Sequence, residues 1–168
     1  IGIDAAMKAI DFCRANHVPE IEYASLYNVL GIIYQTNLSN YNQAKDYFSK
    51  TIELYSTYEA NNSDYIVTLC NAASNYKNLG DLLSAKIYID EAYKISTDNK
   101  NIKSDKTTYY ELFQNLSWIY AALGDEDKSL EFNSLIIDDI DNSENIDTFE
   151  KNVFLLYGKS VVWVVNTL

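Results

Sequence analysis

The 168-residue chain has one proline, Pro19, and only five glycines. Both residues break helices, so their scarcity points to a chain made mostly of helices with short turns. Positive charge is also scarce. There are 13 basic residues, of which Arg14 is the single arginine, against 24 acidic residues, for a formal net charge of −11. Nucleic-acid binders need clustered Lys and Arg to displace phosphate counterions, and no such cluster occurs. The same balance disfavours an anionic membrane surface. Two cysteines, Cys13 and Cys70, and one histidine, His17, cannot assemble a Cys/His zinc set. The cysteines sit in helical patterns and read as small apolar residues. No glycine-rich phosphate loop, nucleophile elbow or metal motif is present, so no cofactor and no catalytic residue is expected. His17, two residues before Pro19, reads as a structural or exposed turn residue.

What is present is repetition. Three stretches align: Leu30-Gly31-Ile32-Ile33-Tyr34 followed by Tyr41, Ala44, Phe48 and Ile52; Ala72-Ala73-Ser74-Asn75-Tyr76 followed by Leu79-Gly80-Asp81, Ala85, Ile89 and Ala92; and Leu116-Ser117-Trp118-Ile119-Tyr120 followed by Leu123-Gly124-Asp125, Ser129, Phe132 and Ile136. Each reads as two amphipathic helices joined by a tight turn. In the first helix a small residue (Gly31, Ala73, Ser117) lies three before a tyrosine (Tyr34, Tyr76, Tyr120), on the same helix face. The small residue lets the partner helix approach, and the tyrosine fills the space beside it. In the second helix Ala44 or Ala85 is the small residue, and Phe48 or Ile89 the plug.

The turns have a mechanism as well. Gly80 and Gly124 suit the left-handed conformation that ends a helix, and Asp81 and Asp125 then cap the next one. The first repeat lacks that glycine and has Leu38-Ser39-Asn40, with Asn40 as the expected cap. Thr108 and Glu111 read as a capping box opening the third repeat. Pro19 suits a helix start.

The combination Tyr27-x-x-Leu30-Gly31-x-x-Tyr34, Ala44, Phe48 resembles the tetratricopeptide repeat family, with Tyr27 where a tryptophan is usual. The likeness runs over roughly residues 20 to 140, with Ser129 replacing the usual alanine in the third repeat. Its tyrosines lie 42 and 44 residues apart, against about 34 residues for the family's unit. The extra length is expected between repeats, in longer helices or loops near Asp98 to Asn101 and Asp141 to Ser143. Long spacing of this kind resembles repeats of bacterial sensory and regulatory proteins, and the Asn-, Tyr- and Lys-rich composition suggests an AT-rich bacterial genome.

The resemblance implies an all-α fold, a right-handed superhelical array of antiparallel helix pairs. One helical-repeat domain would cover residues 1–168. In it, 1–17 is the second helix of an earlier unit; 19–58, 63–97 and 106–141 are three helix pairs; and 146–168 is a further or closing helix. The ends, Ile1 without a methionine and Leu168 inside an apolar stretch, read as those of a segment or processed chain. The run Val161-Val162-Trp163-Val164-Val165 is too short to span a bilayer, so no direct membrane insertion is expected. The compartment stays open, the cytoplasm being slightly favoured.

Function, too, follows from the resemblance: a scaffold that binds a protein or an extended peptide on its concave face, without catalysis. The alternative is a ligand-sensing segment of a bacterial transcriptional regulator or sensor kinase. First helices would line the groove. Asn71 and Asn115, each five before a repeat tyrosine, would there bracket peptide units of a ligand, since an amide both donates and accepts. In the first repeat Val29 matches them, with Asn28 beside it. A solvated polar face is the other reading of these residues. Gln35, Ser74, Lys77, Asn78, Glu111, Gln114 and Trp118 share the register. Trp118 reads either as an anchor for a partner's apolar side chain or as interhelical packing. The cationic set by which the family's chaperone-binding branch clamps a C-terminal carboxylate is missing. Asp139-x-Asp141-x-Ser143, followed by Asp147 and Glu150, has the spacing of an EF-hand calcium loop, but Glu144 stands where that loop needs glycine. A solvated loop is expected there instead.

Overall fold

A computed structural model describes residues 2–60, 62–99 and 105–141. They form seven α-helices: α1 (Gly2–Ala15), α2 (Ala24–Thr36), α3 (Tyr41–Thr57), α4 (Ser63–Asn78), α5 (Leu82–Asp98), α6 (Lys106–Ala122) and α7 (Glu126–Asp141). Among the described residues one 3-10 turn, Glu20–Tyr23, follows Pro19. Pro19 therefore opens this turn and not α2 itself. The expected helix over 146–168 lies outside the described residues.

Side-chain caps fix where the helices begin. Asn40 accepts from the Gln43 amide, Asn62 from Tyr65, Asp81 from Ser84 and Asp125 from Lys128, at 3.0–3.2 Å. Each satisfies one amide that has no intrahelical partner. The third repeat starts otherwise than its Thr108/Glu111 pattern suggests. Asp105 is the cap: its carboxylate accepts from the Thr108 amide at 3.2 Å and from the Thr108 hydroxyl at 2.8 Å. Asp105 is a stronger acceptor than a threonine hydroxyl at that end of the helix dipole, so the helix begins three residues earlier.

Helix ends follow one pattern. Gly80 (φ 81°) and Gly124 (φ 78°) are left-handed. The following amides, of Asp81 and Asp125, reach back to the carbonyls of Tyr76 and Tyr120 at 2.9 Å. His17 and Glu59 hold the same position with φ of 55° and 51°. Between α2 and α3 the turn is one residue longer: Ser39 is left-handed (φ 50°), and the Asn40 amide returns to Tyr34 O.

Pairs α2–α3, α4–α5 and α6–α7 pack as antiparallel hairpins and stack in order, making an all-α helical-repeat solenoid. The core follows the small–large code. Gly31 faces Phe48: a Cβ on Gly31 would lie 2.5 Å from the Phe48 ring. In the second repeat Ala73, Ala85 and Ile89 are all fully buried. In the third, the Ser117 hydroxyl donates to Ser129 O at 2.9 Å. The helix positions align buried Asn133, not Phe132, with Phe48 and Ile89. Phe132 instead matches Tyr47 and Tyr88, whose rings stack on Tyr34 and Tyr76 at 5.5 and 5.2 Å; Phe132 meets Tyr120 at 5.6 Å.

Tyrosine hydroxyls add ties between elements. Tyr27 donates to Glu20, Tyr65 to Glu91, Tyr110 to Asp139 and Tyr120 to Asp90, at 2.7–2.8 Å. Asp139, first residue of the calcium-like spacing, lies in α7 and also pairs with Lys106 at 2.6 Å. The rest of that spacing beyond Asp141 is outside the described residues.

Candidate functional site

The first helices make the inner layer of the stack. α4 packs against α6 and touches α2, whereas α3, α5 and α7 make little contact with one another. A layer whose members touch is the inside of a curve, and a splayed layer is its outside. The face shared by α2, α4 and α6 is therefore the concave one.

Its side chains form three rows at helical spacing: Asn28, Ile32 and Gln35 on α2; Asn71, Ser74, Lys77 and Asn78 on α4; Glu111, Gln114, Asn115 and Trp118 on α6. Asn78 ends α4 and is exposed; the others are half-buried. The rows are laced together. Asn71 donates to Asn28 Oδ1 and Gln35 to Ser74 Oγ, both at a long 3.4 Å. Lys77 Nζ lies 5.3 Å from the centroid of the Trp118 ring. Asn115 turns back along its own helix and donates to Glu111 O at 2.9 Å.

Asn71 thus meets Asn28, while Val29, its counterpart by repeat spacing, stands 43% exposed beside them. Successive first helices cross at an angle, so lateral neighbours are not residues of equal register. Trp118 is half-buried on this face with Lys77 of the neighbouring inner helix over its ring, a contact between helices.

Charge is distributed unequally between the layers. α2 has no charged residue; α4 has Asp64 and Lys77; α6 has Lys106 and Glu111. The second helices carry many more, as in α5 with Lys86, Asp90, Glu91, Lys94 and Asp98. The two charges on the inner face feel their burial. Desolvation pushes the Glu111 carboxyl above its ordinary value, with Asp105 adding to it, and pushes the Lys77 amine below its own. Cys70, under this face, has its thiol raised by complete burial and then by Glu111, so it is inert as a nucleophile. Among the described residues no group of His, Cys, Asp and Glu is placed to hold a metal ion, and no helix is long and apolar enough to cross a membrane.

The arrangement suits hydrogen bonding to an extended backbone. The two 3.4 Å bonds, one between amides and one from an amide to a hydroxyl, are at the long limit of hydrogen bonding. The family model described as tetratricopeptide repeat matches residues 24–58 and 67–99, that is, α2–α3 and nearly all of α4–α5. No curated protein matches the chain.

Proposed function

Since the chain is built of tetratricopeptide repeats, a family of protein-interaction scaffolds, we propose that it binds an extended, charge-poor peptide segment of another protein on its inner face and does no chemistry itself. The observation that carries this reading is the lining. Asn28, Gln35, Asn71, Gln114 and Asn115 offer amides in a layer poor in charge, where Asp64 and Glu111 are the acidic residues of α2, α4 and α6. Amides read a peptide backbone, and Trp118 with Ile32 supplies apolar contact for a side chain. Glu111 and Lys77, on successive helices, give the site one negative and one positive end, which favours one direction of the bound segment.

The test is a screen of extended peptides against the whole chain, followed by titration of the best binder. An Asn71→Ala/Asn115→Ala double variant with unchanged helicity should bind at least about tenfold more weakly, the equivalent of 1.4 kcal/mol. Affinity should change little with added salt, because few charges take part. Equal affinity in the variant would remove the amides from the site. The sensing alternative uses the same face and differs in taking a short free peptide in place of a segment of a folded partner.

A further inference from the structure

Asp105, and not the Thr108/Glu111 pair, caps α6. That leaves the Glu111 carboxylate without a part in the fold. The helix dipole favours a negative charge in the first turn, and Glu111 is already the sixth residue of α6. It is half-buried on the inner face. Among the described residues its carboxylate has no hydrogen-bond donor and no ion-pair partner. Asn115, one turn on, donates to the Glu111 backbone carbonyl and not to the carboxylate. Desolvation opposes the charge, and Asp105 adds to that opposition.

The other charge on this face has a partner within the chain. Lys77 Nζ lies 5.3 Å from the centroid of the Trp118 ring, a contact that favours a cation. Trp118 is two turns beyond Glu111, about 10 Å of helical rise, so Lys77 does not neutralise Glu111. Cys70 of α4 is close enough to feel the Glu111 charge, after the larger effect of its own burial. The next residue, Asn71, meets Asn28 of α2. Glu111 therefore stands at the same level of the face as the amides that would read a peptide backbone. A half-buried carboxylate that its own chain leaves unpaired is complementary to a cation from outside. We propose that Glu111 determines specificity at the inner face, an inference that rests on that face being the binding site, and that the bound segment, otherwise uncharged, presents it with one arginine or lysine side chain. Arginine is the better fit, because its guanidinium is more weakly hydrated than an ammonium.

The probes are two sets of extended peptides, acetylated and amidated, alike except at one residue. That residue is arginine in the first set and citrulline, which has nearly the same shape and no charge, in the second. Binding to the whole chain is followed by fluorescence anisotropy. Binders should come from the arginine set, and citrulline in place of the arginine of the best one should weaken it about tenfold or more. Glu111→Gln should weaken the arginine peptide by a like factor and leave the citrulline peptide unchanged, so that the two losses do not add. The same variant should melt no lower than the wild type, because the charge does not serve the fold. The inference is overturned if citrulline peptides bind as well as arginine peptides, or if Glu111→Gln binds the arginine peptide as the wild type does. In either case, weaker binding by Asn71→Ala/Asn115→Ala would still leave the inner face as the site. If no peptide of either set binds, the reading of the inner face falls together with the inference.

Discussion

Gly31 and Phe48 are a matched pair: there is no room for a methyl group on the one while the other keeps its ring in place. Gly31→Ala should therefore destabilise the chain by about 1–3 kcal/mol, the usual effect of overpacking. The equivalent positions of the second repeat hold Ala73 and Ile89, both fully buried in one cluster. Adding Phe48→Ile to Gly31→Ala should recover much of that loss, and urea unfolding of the wild type, both single variants and the double variant would measure the coupling. Additive effects would show that the two residues do not share the space. This contact was legible in the sequence, because a glycine three before a tyrosine and an alanine four before a phenylalanine have one meaning at helical spacing. Asn133 was not. Alignment by the nearest apolar residue selects Phe132, and only the helix positions show that the third repeat buries an amide at the plug position.

Between helices, the tyrosine hydroxyls matter in a way that depends on pH. Tyr65, buried and donating to Glu91, is pushed up to about 12, chiefly by desolvation; Tyr88, stacked on Tyr76, is pushed to about 12 for the same first reason. A tyrosine raised in the folded state stabilises fully below its unfolded value, about 10, and loses that contribution as pH rises through the folded value. The melting temperature should thus fall between pH 10 and 12, followed by circular dichroism. Tyr65→Phe should be less stable at neutral pH and show a shallower alkaline fall; a parallel curve would deny Tyr65 any part in it. At this scale the caps Asn40, Asp81 and Asp125 were legible, being local chemistry beside a turn. Asp105 was hidden, because Thr108 and Glu111 imitate a cap three residues downstream of the real one. The tyrosine–carboxylate ties and the Asn28–Asn71 contact join residues far apart in sequence at angles set by helix packing, which repeat spacing does not encode.

The molecule as a whole is a stack, and its parts are held unequally. α4 buries Tyr65, Ile66, Leu69, Cys70, Ala72 and Ala73 between neighbours on both sides, whereas α1 buries only Ala6 and Ile10 and belongs to a separate cluster with Tyr23, Tyr27 and Leu30. In a linear array each unit depends on its neighbours, so opening spreads from the less buried units. Amide exchange should be fastest in α1 and slowest in α4; equal protection would mean that the described residues open as one cooperative unit.

The different residues at equivalent buried positions, Gly31 and Phe48, Ala73 and Ile89, Ser117 and Asn133, bear on how such a chain finds its fold. Repeated hairpins of like shape invite mispairing, a first helix closing on the wrong second helix. Here a swap would set the Phe48 ring against the Cβ of Ala73, or leave a void beside Gly31. Each hairpin thus carries its own key, and fidelity of assembly is written into the same few atoms that pack the core.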